Sequence, residues 1–195
     1  MALSDRPADR HRQVAGLFTD RVRGTRSWDV PSPVPGWSAR DVVRHLVDWF
    51  PAFLAAGSGV DLARGPSVEE DPVAAWQVLR DGVQDLLDDP ETARRELTNP
   101  HIGRVPLDAA IDRFYTADVF MHTWDLARAT GQDDRLDPDF CAGLLAGMVE
   151  IEAAMRASGQ YGPRVEVPED ADAQTRMLGF IGRDPFWSPD RPAGR

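Results

Sequence analysis

Asp118 and His122 stand one helical turn apart in the stretch Phe114 to Arg128, and their types and spacing are those of a pair able to clamp a cation. Leu107, Ile111, Phe114, Asp118, Met121, His122 and Asp125 advance by three or four residues, so both polar side chains continue an apolar stripe and are predicted to face inward. A buried, unpaired carboxylate is costly, and coordination compensates its charge. His45 repeats the anomaly in an earlier helical pattern, beside the buried face expected from Val42, Leu46, Trp49, Phe50 and Phe53. Two imidazoles and one carboxylate, with no fourth protein donor evident, make an open site that keeps a position for water or substrate. Zinc is the first choice for such a donor set, and iron, nickel and manganese stay open. So does a plainer reading, because an Asp and a His at this spacing also occur as a hydrogen-bonded core pair.

The neighbours of the trio carry weaker signals. Asp125 is spaced either to orient a ligand imidazole through its free N–H or to cap an adjacent segment. Arg128 is a candidate for a substrate carboxylate, although an arginine near a helix end also favours the helix dipole. His11 and His101 sit among polar residues and are expected at the surface, while Cys141 falls on the apolar side of its helix as packing. Trp37, Trp49 and Trp76 read as core or pocket walls.

Strand signals are nearly absent, so helices must position these groups. A first amphipathic helix is predicted from Pro7 to about Thr25, followed by a rigid connection bearing Pro31, Pro33, Pro35 and Gly36. Ser38, with Asp41 three residues on, forms a variant capping box for a second helix running to about Ala55. Asp71 caps a third, which carries Trp76, Leu79, Val83 and Leu87 and ends near Asp89. Thr98 to Pro106 reads as a loop or short extended piece before the longest helical pattern, Leu107 to Thr130, which Gly131 stops. Pro138 opens a further helix that turns Phe140, Leu144, Met148, Ile151 and Met155 inward. Val165 and Val167 suit an extended segment, a short helix from about Asp170 to Ile181 closes the fold, and the Pro-rich tail after Phe186 is expected to be loosely held. The expectation is an all-α fold, a four-helix bundle with a short additional C-terminal helix. Residues 1–160 would form the metal-binding bundle and residues 161–195 a C-terminal extension packed on the same domain.

At 195 residues the chain suits one domain with a real core. A net charge of -10 without a segregated basic patch argues against nucleic-acid or anionic-membrane partners, and no apolar run is long enough to span a bilayer. The polar N-terminus lacks the apolar core of a signal peptide, so the cytoplasm is the expected location. Cys141 is the only cysteine, which excludes an internal disulfide and leaves any metal to nitrogen and oxygen donors.

Three segments carry a resemblance: Pro35-Gly36-Trp37-Ser38-Ala39-Arg40-Asp41-Val42-Val43-Arg44-His45-Leu46, His122-Thr123-Trp124-Asp125-Leu126-Ala127-Arg128-Ala129-Thr130-Gly131, and Leu178-Gly179-Phe180-Ile181-Gly182-Arg183-Asp184-Pro185. Together the chain resembles an actinobacterial group within the DinB-like, mycothiol-dependent maleylpyruvate isomerase superfamily. The resemblance implies a four-helix bundle whose metal is held by a His on the second helix and by an acidic residue and a His on a later long helix. The matching positions are His45, Asp118 and His122. Asp118 stands where the maleylpyruvate isomerases typically carry Glu, and the separate C-terminal domain of those enzymes has no clear counterpart after Gly131.

The leading expectation from this resemblance is a zinc-dependent transferase or isomerase that brings a low-molecular-weight thiol such as mycothiol against a small electrophile. Asp125 and Arg128 would be helpers, and a homodimer would supply any missing part of the pocket. Two rivals remain. One is a non-catalytic metal- or small-ligand-binding module, and the other a non-haem iron oxygenase, since two His and one carboxylate also suit that chemistry.

Overall fold

The computed structural model describes residues 2–189. Helix α1 (Pro7–Gly24) is followed by α2 (Ala39–Ser58) and α3 (Pro72–Asp88). A short antiparallel hairpin, β1 (Glu96–Asn99) and β2 (Gly103–Pro106), leads into α4 (Leu107–Ala110). From there the chain continues without a break through a π-helical segment, Ile111–Thr116, into α5 (Ala117–Thr130). Then come α6 (Pro138–Glu150), α7 (Glu152–Ala157) and α8 (Ala173–Phe180).

The expected all-α bundle is what forms. Helix α1 packs on α3 and α5, and α2 packs on the same two, so α1, α3, α2 and α5 close a four-helix ring. Val14, Phe18, Leu46, Phe50, Trp76 and Phe120 are among the fully buried side chains that fill it. Helix α8 packs on α6 outside this ring. Among the described residues, no helix is long and apolar enough to cross a membrane.

Local chemistry explains where the helices start and stop. The Ser38 hydroxyl accepts from the Asp41 amide, and the Ser38 amide donates to Asp41 Oδ2 at 2.8 Å, the reciprocal box that starts α2. Asp71 accepts from the Ala74 amide at 2.9 Å and Asp137 from the Phe140 amide at 2.8 Å, each with Pro in the first helical turn. Gly131, at φ 68°, terminates α5 in the left-handed conformation.

Three details depart from the sequence reading. His11 is fully buried, not at the surface: its ring faces the core side of α1, with Nδ1 3.0 Å from Thr116 Oγ1. The charged residues around it in sequence occupy the other faces of the same helix, and a linear window averages over faces. Ile151 is 42% exposed because the helix breaks there, at φ -116° and ψ 15°, which turns the side chain out of the stripe. The Thr98–Pro106 stretch belongs to a hairpin that begins at Glu96. His101 is exposed and Cys141 buried, with burial pushing the thiol up to about 12. Val165 runs alongside α8, its amide donating to the Gly179 carbonyl at 2.9 Å. Of the Pro-rich tail, residues 190–195 lie outside the described residues.

Candidate metal centre

The turn that delivers Trp37 and the helix that delivers His45 are built together. The Trp37 amide donates to the Val34 carbonyl at 3.0 Å, with Pro35 and Gly36 (φ 79°) between them, the pattern of a type II turn. Ser38 then starts α2, and His45 projects from its second turn beside the buried face. Opposite it, α5 presents Asp118 and His122 one turn apart.

These three residues meet. Their donor atoms all lie within 4.8 Å of one another. His45 Nε2 is 3.0 Å from Asp118 Oδ2, and His122 Nε2 is 3.5 Å from Asp118 Oδ1. Two ligands of a tetrahedral zinc at its usual bond lengths lie about 3.3 Å apart, so the two distances to Asp118 suit a shared ion. The imidazole rings of His45 and His122 have centroids 4.8 Å apart.

Asp125 determines which nitrogen of His122 is free. Asp125 Oδ2 lies 2.8 Å from His122 Nδ1, and an ionised carboxylate only accepts, so Nδ1 carries the proton and donates it. In the neutral ring Nε2 then holds a lone pair, 3.5 Å from Asp118 Oδ1. Two electron-pair donors facing each other repel unless a cation or proton lies between them. The donor set therefore fits a divalent ion, and the outer carboxylate is of the kind that orients metal-bound histidines.

Asp125 is in turn clamped. Arg183 donates from Nε and Nη2 to its two oxygens at 2.9 and 3.0 Å, a bidentate pair buried at the Asp125 end. Arg183 is aimed by the end of α8: its amide donates to the Leu178 carbonyl and that of Gly182 to the Gly179 carbonyl, a Schellman motif with Gly182 at φ 87°. Burial opposes ionisation of Asp125, but the Arg183 charge and the His122 donor outweigh it and hold the carboxyl below its ordinary range. For Asp118 too, burial is outweighed, here by the positive charge of His122 when its ring is protonated, by His45, and by the indole N–H of Trp49, which donates to Oδ2 at 2.9 Å.

Aromatic rings wall the cluster. Trp37 stacks on His122 with centroids 5.8 Å apart and lies 5.1 Å from the His45 ring. Trp49 is 6.1 Å from His45 on the other side. Half-buried Tyr161 lies near enough to feel the Asp118 and Arg183 charges, and burial first, then Asp118, pushes its hydroxyl up to about 12. Arg128 is turned elsewhere, with Nη2 donating to the Pro185 carbonyl and Nη1 paired with Asp134, both at 2.8 Å. Arg183, the Trp49 donor and Tyr161 were missed in sequence. Only the Gly182-Arg183 pair, with glycine at a helix stop, offered a signal.

A helical bundle with a His, Asp and His cluster between its second helix and its long later helix is a DinB-like domain. The chain belongs to the mycothiol maleylpyruvate isomerase N-terminal domain family, whose model matches residues 11–127. It is 24% identical over 188 residues to an uncharacterized protein of Mycobacterium tuberculosis strain CDC 1551 / Oshkosh, covering 91% of this chain and 97% of that protein. An uncharacterized protein of strain ATCC 25618 / H37Rv is similar to the same extent, 24% identical with 91% and 97% covered. No solved structure gives a significant match. The family model ends before the segment that carries Arg183.

Proposed function

We propose that this chain holds one divalent cation, zinc by donor preference, on His45, Asp118 and His122, and that it brings a low-molecular-weight thiol of the mycothiol kind against a small electrophile. The observation that carries the reading is the convergence of the His45, Asp118 and His122 donor atoms within 4.8 Å of one another while His122 Nδ1 is committed to Asp125. When bound, such an ion supplies Lewis acidity and lowers the pKa of a thiol or water at its open position.

The chain's own residues do the rest. Asp125 and Arg183 keep the His122 ring in one tautomer and one orientation. The Trp49 indole holds Asp118 Oδ2, Trp37 packs against both imidazoles, and Trp49 packs against that of His45. Arg128, committed to Asp134 and Pro185, ties the C-terminal segment to α5. The proposed setting is cytoplasmic, and a second copy of the chain would supply any wall the pocket lacks.

The test is metal analysis of gently purified protein beside His45→Ala, followed by thiol-dependent consumption of a model electrophile across a panel that includes mycothiol. One metal per chain in the wild type, its loss in the variant and metal-dependent turnover are the expected results. Metal without turnover for any thiol would leave a binding module. Iron with oxygen consumption would indicate an oxygenase, and absence of metal would overturn the reading.

A further inference from the structure

Asp118 and His122 reach the centre through an irregular piece of helix. A π-helical turn bonds i to i+5, adding one residue to the α-helical count, so it rotates everything after it by about 100° relative to an uninterrupted helix. The segment Ile111–Thr116 ends one residue before Ala117, and Asp118 follows. The direction in which Asp118 and His122 point is therefore set by how firmly this wide turn is held. Its hydrogen-bonding geometry is rare, so the packing around it matters.

Two consecutive residues at its end are gripped from α1 and α2. Thr116 is fully buried, and among the described residues its hydroxyl has one side-chain partner, His11 Nδ1 at 3.0 Å. The Tyr115 ring lies against Phe50, with centroids 4.0 Å apart and 16° between planes, and against His11 at 5.9 Å and 29°. His11 thus touches both residues. Its other nitrogen, Nε2, is buried with no partner among the described residues. An apolar ring would fill the same space without that penalty, so what the imidazole adds here is the bond to Thr116.

We propose that His11 is a positioning residue for the metal centre: by holding Thr116 and packing on Tyr115, it fixes the rotation at which the π-helical segment delivers Asp118 and His122. The inference rests on the metal reading above and adds a residue remote from the three ligands. His11 touches no ligand and acts only through the segment.

The experiment compares the wild type with His11→Phe, which keeps a ring on Tyr115 and removes the bond, and Thr116→Val, which keeps the volume and removes the hydroxyl. Zinc affinity is read by chelator competition and ligand geometry by the visible absorption of the cobalt-loaded protein. Each variant should lose roughly tenfold or more in zinc affinity and alter the cobalt spectrum. The double variant should be no weaker than either single one, and His11→Asn should recover most of the loss. Wild-type affinity and spectrum in both single variants would overturn the proposal. Amide hydrogen exchange over residues 111–118, which needs no metal, separates the two readings. If the wild type takes up neither zinc nor cobalt, the metal reading fails. Faster exchange in both variants would then still support the grip on the segment, and unchanged exchange would sink it.

Discussion

Arg183 and Asp125, 58 residues apart in the chain, form a bidentate pair at 2.9 and 3.0 Å, and the same carboxylate accepts a hydrogen bond from His122 Nδ1. The C-terminal segment thereby reaches the cluster without supplying one of its three donors. Its role is to keep a buried carboxylate ionised and aimed.

Replacing Arg183 by Ala leaves the Asp125 carboxylate buried and uncompensated. Loss of one partner of such a pair costs about 3–5 kcal/mol, so the urea midpoint should fall sharply. Asp125→Asn removes the charge with little change in volume, and it should weaken zinc binding by roughly 10- to 100-fold. Equal zinc affinity in wild type and Asp125→Asn would show that the carboxylate does not orient His122.

Gly182 is the residue that turns Arg183 toward Asp125. At φ 87° any Cβ is strained, and here it would also come within 2.9 Å of the Pro163 carbonyl oxygen. Gly182→Ala should cost at least about 1–2 kcal/mol from the backbone alone. Because the strain sits next to Arg183, a fall in zinc affinity should accompany the loss of stability.

Burial pushes the His11 pKa from its ordinary 6.5 down to about 4, and the charges of Arg12 and Arg80 act in the same direction. The folded state therefore resists protonation that the unfolded chain accepts. The contribution is intact above about pH 6.5 and is lost as the pH falls toward 4, on the order of 3 kcal/mol in all. His11→Phe has no such proton to refuse. Urea midpoints measured from pH 7 to pH 4 should fall less steeply for the variant than for the wild type, and parallel curves would contradict the assignment.

Removing one ligand at a time should separate the centre from the fold. Among the three, His45 is the most exposed, with 31% of its side chain accessible. His45→Ala should therefore lose the metal with a small change in apo stability, and His122→Ala, at a 7% exposed position, should lose both. Differential scanning calorimetry of metal-free proteins checks the order.

Much of the scaffold was legible residue by residue. The Ser38 box, the Asp71 and Asp137 caps, and the Gly131 stop are local interactions, spanning no more than a helical turn, and sequence spacing reports such contacts directly. Asp118 and His122 are likewise a one-turn pair, and their place on the apolar stripe could be read from periodicity. His11 shows the limit of that method, since its polar neighbours in sequence describe faces of α1 that its own ring does not share.

The contacts that join the cluster across the fold depend on segments far apart in the chain. Sequence determined the helices, their caps and the types of donor available on them. Only the tertiary packing decided that His45 stands 3.0 Å from Asp118, that Arg183 rather than Arg128 backs Asp125, and that a π-helical turn precedes α5. The physical reason is range: caps and turns are settled by a few neighbouring bonds, whereas a buried charge finds its partner only when the whole core has closed around it.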